Sequence, residues 1–598
     1  MTWLRDGVLL RALLAIAAAL LFVAAAVTIT GDISFRAGPL PVRAHNAAGP
    51  FAGALVLVLS AWIAARSDLR KSLAWWWAFI ERRAALMALA LASLALMIGM
   101  NWGTFAAGGS DSYCYLNQAE LFARGEVRDF EPLATDPAWP GSADAFVPVG
   151  HNPSPAMAGS FVPMCPAGYP LLLAMTRVAA GRSAMFWVTP VFGVMCVWFA
   201  FVLGSRAGGP AAGILAAALT LTSPIFLYQV VQPMNDVVAA ALWAAALACA
   251  TWPKVCDRSR ALLSGLIAGT AVTVRPNLLP LAGAMALCVM IFAGNRSVAT
   301  PRSRLITLLV FGASVLPGVF VVMTVQSAMY GSPFRSGYGD LGLLFSWSHV
   351  GPNLVQYARW TAGAHTAVIA LALLGPVVLA EKRREAICLL LFAFATLACY
   401  LPYVVFDAWW YQRFLLPGIV PLLILTAAVL TRALARLEPA ARVVGFVLVI
   451  FGLPLSYVHT AVERDAFRLK AFEARFRTAG QYAARLPEAS VFITASESGS
   501  VRFYAGRPTA VWLGIAPGKL AGALDFFRSK GRKPYLLIES GEERAFRERF
   551  ASEKLGSLEW PPVAEIDRTV RIYDPADYER YLRGEFIKSE RVLTSRIR

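Results

Sequence analysis

Repeated apolar runs of about 20 residues constrain the fold of this chain more than any other feature, because a helix of that length spans a lipid bilayer. Of the 598 residues, 58% are hydrophobic and only 15% are charged, whereas about a quarter of the residues in a soluble domain are charged. Inside lipid, a helix satisfies its own backbone hydrogen bonds without water. The sequence therefore predicts a polytopic α-helical membrane protein.

About 13 spans of membrane length can be placed along the first 460 residues. They lie near 8–30, 50–66, 84–102, 183–204, 210–228, 235–252, 260–274, 276–294, 305–327, 365–380, 386–404, 414–431 and 442–459. The first run is too long for the core of a signal peptide and has no clear cleavage site after it. We expect it to be a retained helix.

The net charge of +18 is concentrated in the short connections between these spans. The clusters are Arg66, Arg70, Lys71, Arg82 and Arg83; Lys254, Arg258 and Arg260; Arg296, Arg302 and Arg304; Lys382, Arg383 and Arg384; and Arg432, Arg436 and Arg442. Basic residues in short loops stay cytoplasmic, which predicts a cytoplasmic N-terminus and an extracytoplasmic C-terminus. The charge therefore indicates membrane orientation, and we expect no nucleic-acid partner.

The first long outer loop, residues 103–182, is rich in proline and glycine and cannot form one long helix. Its two ends, Tyr113–Arg124 and Tyr169–Val178, are predicted to be short amphipathic helices along the membrane surface. Cys114 and Cys165 both fall in this loop. Either a disulfide or two free thiols is compatible with their positions.

From about residue 461 the apolar runs shorten to strand length and alternate with helical stretches. The predicted strands are 490–494, 510–513, 534–539 and 569–573, and the predicted helices include 516–530 and 542–550. This alternation predicts a small α/β domain over 461–598, outside the cytoplasm, after a membrane domain over 1–460. The C-terminal part has no phosphate-binding loop and no nucleophile elbow.

Asp111 lies just beyond the end of a predicted span, at the start of the outer loop. A carboxylate in that position can act as a general base or hold a cation. The alternative is a structural one, in which Ser110 or Asp111 caps the helix that follows. The two interpretations are compatible, because a short capped helix can also direct a carboxylate towards a substrate.

Two further polar residues are candidates for substrate binding. Asp236 opens a span after a proline turn and could hold an acceptor hydroxyl, an arginine or a cation, although it could equally cap that helix. His151 lies in the proline-rich loop and is either a substrate contact or a single polar loop residue. No spacing of metal ligands is present, so we predict no metal site, although a divalent cation stays possible as a cofactor.

Four stretches, in chain order, resemble motifs of the GT-C superfamily of membrane glycosyltransferases. They are Gly109–Gly125, with its aspartate, aromatics and glycine; Pro166–Ala174, with a tyrosine–proline pair; Gly265–Pro276, which ends in Arg-Pro; and Arg413–Pro421. The superfamily includes protein mannosyltransferases and bacterial transferases that modify lipid A. Each stretch alone is weak, but four in the order of the family are fairly specific.

The resemblance implies a GT-C-like membrane domain that transfers one sugar from a polyprenyl-phosphate carrier. Asp111 would be the base that deprotonates the acceptor hydroxyl. Arg275 and Arg413 would bind the leaving lipid phosphate, or else they are interfacial arginines that reach towards water. Tyr113 and Tyr169 fall within the matched motifs and are further candidates for substrate binding.

The implied partners are a polyprenyl-phosphate sugar, a glycan, lipid or protein acceptor, and membrane lipids, at the outer face of a bacterial inner membrane. Ser112 stands where several relatives carry a second acid, and two hydrophobic spans precede the one before Asp111. The rival interpretation is a transporter or lipid flippase, which would carry ionisable residues in the middle of its spans.

Overall fold

The structure is a computed structural model that describes residues 66–136, 139, 141–293 and 300–594, together with short stretches before residue 58. Those stretches are 15–21, 23–24, 27, 33–37, 40–44, 49–50, 53–54 and 56–57. Within them, strands β1 (Ile33–Ala37) and β2 (Leu40–Ala44) pair in antiparallel. The described chain is mainly helical up to residue 463 and mixes strands with helices beyond it.

The larger helices up to residue 463 are Arg66–Trp102, Asp111–Ala123, Gly168–Ala180, Val188–Gly208, Pro210–Thr222, Pro224–Val230, Asp236–Ala250, Asp257–Val274, Pro280–Phe292, Pro301–Tyr330, Val350–His365, Arg383–Tyr400, Leu416–Leu434 and Pro439–Glu463. Both short helices predicted at the ends of the first outer loop are present, as Asp111–Ala123 and Gly168–Ala180. The buried centre is rich in alanine, and helix Asp236–Ala250 is buried along almost its whole length.

Five helices in the described part of the chain are long and apolar enough to cross a membrane. They are Trp75–Trp102, Arg182–Gly208, Pro301–Tyr330, Trp409–Leu434 and Ala441–Glu463. Two pairs of helices, bent by 61° and 105°, raise the number to seven if each pair is one span. The expected number of about 13 spans is therefore not confirmed. The first two predicted spans, near 8–30 and 50–66, lie largely outside the described residues.

The two bent pairs are joined at their breaks by a buried hydrogen bond. In one pair, Pro224 starts a new helix and Ser223 before it leaves the helical conformation, as a residue before proline does. In the other, the break falls at Thr366, which has a φ of 60°. The Ser223 Oγ and His365 Nε2 atoms lie 2.8 Å apart, and both residues are buried. The breaks thus bring two polar side chains together inside an apolar bundle.

Small residues allow the helices Asp257–Val274 and Pro301–Tyr330 to approach each other closely. A Cβ atom added at Gly269 would lie 2.8 Å from the carbonyl oxygen of Val315. Such close approach at glycine is typical of helix pairs in membranes, where packing rather than water exclusion drives association. This contact fixes the end of the helix that precedes Arg275.

A six-stranded mixed sheet forms the C-terminal part, with helices Leu469–Ala483, Ser498–Ala505, Leu520–Ser529, Ser540–Arg549 and Asp577–Leu582 around it. Its strands are β6 (Ser490–Thr494), β7 (Thr509–Val511), β8 (Lys533–Glu539), β9 (Ala564–Ile566), β10 (Val570–Tyr573) and β11 (Glu590–Val592), in the spatial order β11-β9-β10-β8-β6-β7. Strand β6 runs parallel to β7 and β8. The four predicted strands correspond to β6, β7, β8 and β10. The placement of a domain boundary at residue 460 stays a prediction.

The first outer loop packs against this sheet and shares an apolar core with it. Leu133, Trp139 and Phe146 of the loop belong to the same buried cluster as β6 and β8. The loop has a small sheet of its own, formed by β3 (Asp129–Phe130), β4 (His151–Pro153) and β5 (Ser160–Pro163) in the order β3-β5-β4. The loop therefore holds a fixed shape between the helical bundle and the C-terminal sheet.

Candidate active site

A cavity of about 640 Å³ opens where the first outer loop meets the ends of several helices. Among the described residues, four charged side chains line it, and they are Asp111, Asp236, Arg275 and Arg413. All four were predicted from the sequence, Asp111, Arg275 and Arg413 from three motifs and Asp236 as the acid that opens a span. The structure brings them together although up to 302 residues separate them in the chain.

Asp111 and Arg413 form an ion pair at the mouth of the cavity. Asp111 is the first residue of helix Asp111–Ala123, and Arg413 lies in the 3-10 turn Trp409–Leu415. The Nη2 atom of Arg413 donates to Oδ2 of Asp111 at 2.7 Å. The Asp111 side chain is 46% exposed and that of Arg413 only 13%. The carboxylate thus faces the cavity while the guanidinium is largely buried behind it.

The capping alternative for Asp111 does not describe this geometry. Ser110 occupies the N-cap position of the helix and makes no side-chain capping hydrogen bond. Gly150 fixes the helix start instead, because a Cβ atom there would lie 2.5 Å from the carbonyl oxygen of Ser110. Its φ of +79° is also in the region that favours glycine. Close backbone packing therefore positions the carboxylate of Asp111.

Asp236 and Arg275 form a second, deeper ion pair. Oδ1 of Asp236 accepts a hydrogen bond from Nη2 of Arg275, and both side chains are almost fully buried. Arg275 also donates from Nε to Oδ1 of Asn235 and from Nη1 to the hydroxyl of Tyr400, each at 3.2 Å. Asn235, rather than Asp236, takes the N-cap position, without a side-chain capping bond. This network holds Arg275 in one orientation.

Two polar atoms beside the cavity keep hydrogen-bonding capacity that no described residue uses. Nε of Arg413 and Oδ2 of Asp236 are both buried without a hydrogen-bond partner. Leaving such groups unpaired costs free energy, so native structures seldom retain them without a reason. One is a cationic donor and the other an anionic acceptor. The site can therefore receive a ligand that offers both an anion and a hydroxyl.

Aromatic rings cover the two arginines. The guanidinium carbons of Arg275 and Arg413 each lie 5.3 Å from the ring centroid of Phe414, and that of Arg413 lies 5.4 Å from the ring of Tyr411. The ring of Phe414 also stacks on Tyr400, with centroids 5.2 Å apart. Cation–π contacts of this kind hold a guanidinium in place without using its N–H donors. The unpaired Nε of Arg413 therefore remains available to a ligand.

One wall of the cavity is apolar. It is built from the end of the apolar helix Pro301–Tyr330 and from the segment that follows it. The apolar lining residues there are Val322, Val325, Met329, Leu341, Leu344 and Phe345. The helix itself buries only 22% of its apolar window, so much of it faces away from the protein. The cavity thus places two guanidinium groups beside a surface that suits a hydrocarbon chain.

Three of the residues predicted to bind substrate do not line this cavity. Tyr113 and His151 pack on each other behind the helix of Asp111, with ring centroids 5.0 Å apart. Tyr169 packs edge-on against Tyr115 at 5.2 Å and shares a hydrogen bond of 2.7 Å with Thr189. All three predicted residues are buried, and they support the residues of the cavity wall. The structure gives them no direct contact with the cavity.

His151 is held in its neutral form. Burial lowers its pKa from 6.5 to about 3, the hydrogen bond to the carbonyl of Val149 opposes that effect, and Arg502 adds to it. The contact of Nδ1 with Val149 O at 3.3 Å and of Nε2 with Nδ2 of Asn117 at 3.0 Å suits the tautomer with hydrogen on Nδ1. His151, which is neutral and hydrogen-bonded at both ring nitrogens, is therefore part of the structural scaffold of the loop.

A disulfide joins Cys114 to Cys165, with their Cα atoms 6.1 Å apart. The sequence analysis had left this pairing open. Cys114 lies one turn after Asp111 in the same helix, and Cys165 lines the cavity. The disulfide therefore ties the helix that carries the carboxylate to the opposite wall.

Several residues that line or organise the cavity are not among those predicted from the sequence. Tyr115, Tyr338 and Tyr400 line it, and Asn235 orients Arg275. Tyr115 was available within the first motif, two residues after Tyr113, but helical periodicity places the two on different faces. Tyr400 ends an apolar span and was read as part of the membrane. No group of three or more potential metal ligands occurs among the described residues.

The chain matches no protein-family model, and no curated protein sequence matches it. Among solved structures, it is similar to ArnT from Cupriavidus metallidurans bound to undecaprenyl phosphate, with 13% identity and a TM-score of 0.49 over 77% of this chain and 94% of that chain. It is similar to the oligosaccharyltransferase AglB from Archaeoglobus fulgidus in complex with an inhibitory peptide and a dolichol-phosphate, with 11% identity and a TM-score of 0.44 over 79% and 72% of the two chains.

A third similar structure is the arabinofuranosyltransferase AftD from Mycobacteria, with 14% identity and a TM-score of 0.41 over 76% of this chain and 35% of that chain. All three proteins are GT-C glycosyltransferases, the superfamily that the four sequence motifs resemble.

Proposed function

We propose that this protein is a membrane glycosyltransferase that moves one sugar from a polyprenyl-phosphate carrier to an acceptor hydroxyl. The observation that carries the proposal is the cavity in which the ion pairs Asp111–Arg413 and Asp236–Arg275 lie beside an apolar wall. A lipid phosphate requires cations and a hydrocarbon surface next to each other, and a sugar transfer requires a base close to them.

The two arginines are suited to the phosphate. A guanidinium binds phosphate through two parallel N–H bonds and stays charged at any physiological pH. Arg413 has an unpaired Nε beside the cavity, and its Nη2 is already directed at Asp111. Phosphate oxygens that approach Arg413 would therefore lie close to the carboxylate. Arg275, fixed by its network, would neutralise the charge that develops on the leaving phosphate.

Asp111 is placed to act as the base. Its carboxylate faces the cavity and is the more exposed partner of its ion pair. In the reaction, the acceptor oxygen forms a bond to the anomeric carbon, the bond from that carbon to the phosphate oxygen breaks, and the acceptor proton passes to Asp111. The polyprenyl phosphate leaves with the bonding electron pair. Direct attack of this kind inverts the configuration at the anomeric carbon.

Asp236 has a different role in this proposal. Its Oδ1 holds Arg275, while its buried Oδ2 has no partner among the described residues. That oxygen would accept a hydrogen bond from a hydroxyl of the donor sugar. Asp236 is therefore primarily a positioning residue for Arg275 and additionally a contact to the sugar.

The position of the charged residues also distinguishes this function from transport. A transporter or flippase is expected to hold ionisable groups in the middle of its spans. Asp111 and Asp236 begin helices, Arg275 follows the end of one, and Arg413 lies in the turn before another. This arrangement favours chemistry at one membrane face. We place that face outside the cytoplasm, together with the C-terminal sheet, as the distribution of basic loops predicts.

The experiment uses purified protein in lipid nanodiscs with a panel of undecaprenyl-phosphate sugars and an extract of the cell envelope as acceptor. Release of free undecaprenyl phosphate is followed by mass spectrometry for the wild type, for Asp111→Asn and for Asp144→Asn. Asp144 is an exposed aspartate of the same loop and serves as the matched control. The proposal expects release by the wild type and the control and a loss of at least 100-fold in Asp111→Asn. Equal release by all three proteins would contradict it.

A further inference from the structure

A second cavity, of about 360 Å³, lies between the first outer loop and the C-terminal sheet. It is lined by Arg124 and Arg182 from the loop region and by Arg502, Arg507 and Arg532 from the C-terminal part. We call it the arginine cleft. None of these five residues belongs to the cavity described above, and the four sequence motifs do not explain any of the three C-terminal arginines.

The helix Asp111–Ala123 separates the arginine cleft from the proposed active site. Asp111 and Tyr115 line the active-site cavity, whereas Tyr113, Asn117, Glu120 and Arg124 line the cleft. The spacing of the latter four follows the helical repeat, so they form one stripe along the helix. The same helix therefore presents a carboxylate to one cavity and a wall to the other.

The acidic residues of the cleft are already paired. Oε1 of Glu120 accepts hydrogen bonds from Nε of Arg182 at 2.7 Å and from Nε of Arg177 at 3.1 Å. Glu131 receives Arg502 at 3.0 Å. These bonds satisfy the carboxylates and use the arginines that lie closest to the helix.

The third acid, Asp129, has two partners. Its Oδ2 accepts a hydrogen bond from Nδ2 of Asn117 at 3.0 Å, and its Oδ1 forms an ion pair with Nη2 of Arg124 at 3.6 Å. With all three lining carboxylates engaged, the five lining arginines leave an excess of two positive charges.

That excess is located at Arg507 and Arg532. Neither guanidinium has an ion pair or a side-chain hydrogen bond with any residue that the structure describes. Nε of Arg507 is buried and has no hydrogen-bond partner. A buried cationic donor without a partner is costly unless a ligand or ordered solvent receives it. Both side chains are only partly exposed, so neither is a free surface arginine.

We infer that the arginine cleft binds an oxyanion, phosphate or carboxylate, carried by the saccharide acceptor. The identification of the ligand as an acceptor rests on the proposed function. The binding of an anion in the cleft does not depend on it. Two guanidinium groups with unused N–H donors match the oxygens of such a group.

The geometry also restricts the size of the ligand. A helix with its side chains is about 10–12 Å across, and the cleft and the Asp111 carboxylate lie on different sides of one helix. A saccharide that extends from the cleft to Asp111 has to pass around this helix, which places its anion about 10 Å or more, roughly two sugar residues, from the hydroxyl that reacts. This favours an acidic oligosaccharide or polysaccharide as the acceptor over a single small sugar.

The test measures binding directly, by isothermal titration of the full-length protein in nanodiscs without any donor. The probes are trigalacturonate, glucose 6-phosphate, inorganic phosphate and neutral maltotriose. The variants are the double Arg507→Gln/Arg532→Gln and the control Arg528→Gln, an exposed arginine paired with Asp525 outside the cleft. Asp111→Asn is included because it disables the proposed chemistry and leaves the cleft intact.

We expect trigalacturonate to bind more tightly than maltotriose, and the double variant to weaken that binding at least tenfold. Arg528→Gln should bind like the wild type, and Asp111→Asn should still prefer trigalacturonate to maltotriose. Tighter binding of glucose 6-phosphate would identify phosphate rather than carboxylate as the preferred group. Binding of inorganic phosphate alone, if it is lost in the double variant, would show that the cleft takes a free anion and would overturn the saccharide assignment.

Equal affinity for trigalacturonate and maltotriose, or an unchanged affinity in the double variant, would overturn the inference. A second readout keeps this independent of folding. Phenylglyoxal modification, mapped by mass spectrometry, should be slowed at residues 507 and 532 of the wild type when trigalacturonate is present. If undecaprenyl phosphate is never released but this protection is observed, the proposed function is wrong and the assignment of the arginine cleft as an anion-binding site is retained.

Discussion

Arg413 donates a hydrogen bond of 2.7 Å to Asp111, which lies 302 residues earlier in the chain. The pair places a carboxylate that can accept a proton next to a guanidinium that can bind a phosphate. A proton-accepting group and a phosphate-binding group therefore lie side by side in the cavity.

Replacing Arg413 should reduce turnover according to how well the new side chain binds phosphate. We expect Arg413→Gln to lower kcat/KM about 100-fold or more and Arg413→Lys to lower it less, because lysine keeps the charge but loses the two-pronged geometry. The measurement is the initial rate of undecaprenyl phosphate release. The exposed Arg359→Gln variant is the control. Wild-type rates in Arg413→Gln would remove Arg413 from the mechanism.

Replacing Asp236 alone should destabilise the protein, because it leaves the guanidinium of Arg275 buried without its anion. Breaking a buried pair in this way costs about 3–5 kcal/mol. The double variant Asp236→Asn/Arg275→Met should recover part of the loss, since no unpaired charge remains. Thermal unfolding in detergent measures both. A double variant less stable than Asp236→Asn would mean that the pair is not coupled as described.

Asp465→Asn is the control for this prediction, because its ion pair with Arg468 is exposed. Surface pairs contribute little to stability. We expect no measurable change in its unfolding temperature.

Removing the disulfide should loosen the active site as well as the fold. The double variant Cys114→Ser/Cys165→Ser is expected to lose about 2–4 kcal/mol of stability and to turn over more slowly, since Cys114 lies one turn from Asp111. Alkylation without prior reduction should leave both cysteines unmodified and should label the exposed Cys256. Labelling of Cys114 or Cys165 under those conditions would contradict the disulfide.

Acidification should destabilise the first outer loop through His151. Burial lowers its pKa in the folded protein to about 3, while an unfolded chain has a pKa of about 6.5. Between pH 6.5 and 3, His151 is therefore protonated in the unfolded state and neutral in the folded state. The stabilising effect of the neutral histidine is complete above that pH and is lost progressively as the pH falls from 6.5 towards 3.

Unfolding temperatures of the wild type and of His151→Gln between pH 7.5 and 4.5 test this effect. The glutamine variant should start at a lower stability, since it loses ring packing on Tyr113, but it should depend less on pH over that interval. Identical slopes for the two proteins would show that His151 titrates normally.

The sequence predicted the members of the site better than their arrangement. Asp111, Asp236, Arg275 and Arg413 were predicted because polar residues at the ends of apolar spans are conspicuous. Motifs also surround Asp111, Arg275 and Arg413. Their pairing was not predictable, because a contact across 302 residues depends on how the helices pack. No local pattern in the sequence encodes which aspartate faces which arginine.

The predicted substrate contacts that do not line the active-site cavity were chosen for their residue type and not for the face they occupy. Tyr113 and Tyr115 are both aromatic and two residues apart, and only the helical phase decides that Tyr115 faces the cavity. His151 is a polar residue in a loop, yet the loop folds around it. The number of spans stays a prediction, because several apolar runs form bent or short helices and the first two predicted spans lie largely outside the described residues. A breaking residue such as Pro224 counts little in a hydropathy pattern.

The account is tested most directly by an experimental structure of the protein in nanodiscs with undecaprenyl phosphate, determined by cryo-electron microscopy. It predicts the lipid phosphate within hydrogen-bonding distance of Arg413, the chain along the wall that includes Val325 and Leu344, and the Asp111 carboxylate open to the cavity. A lipid phosphate bound elsewhere, with the Asp111–Arg413 pair intact and no lipid in the cavity, would contradict the proposed active site.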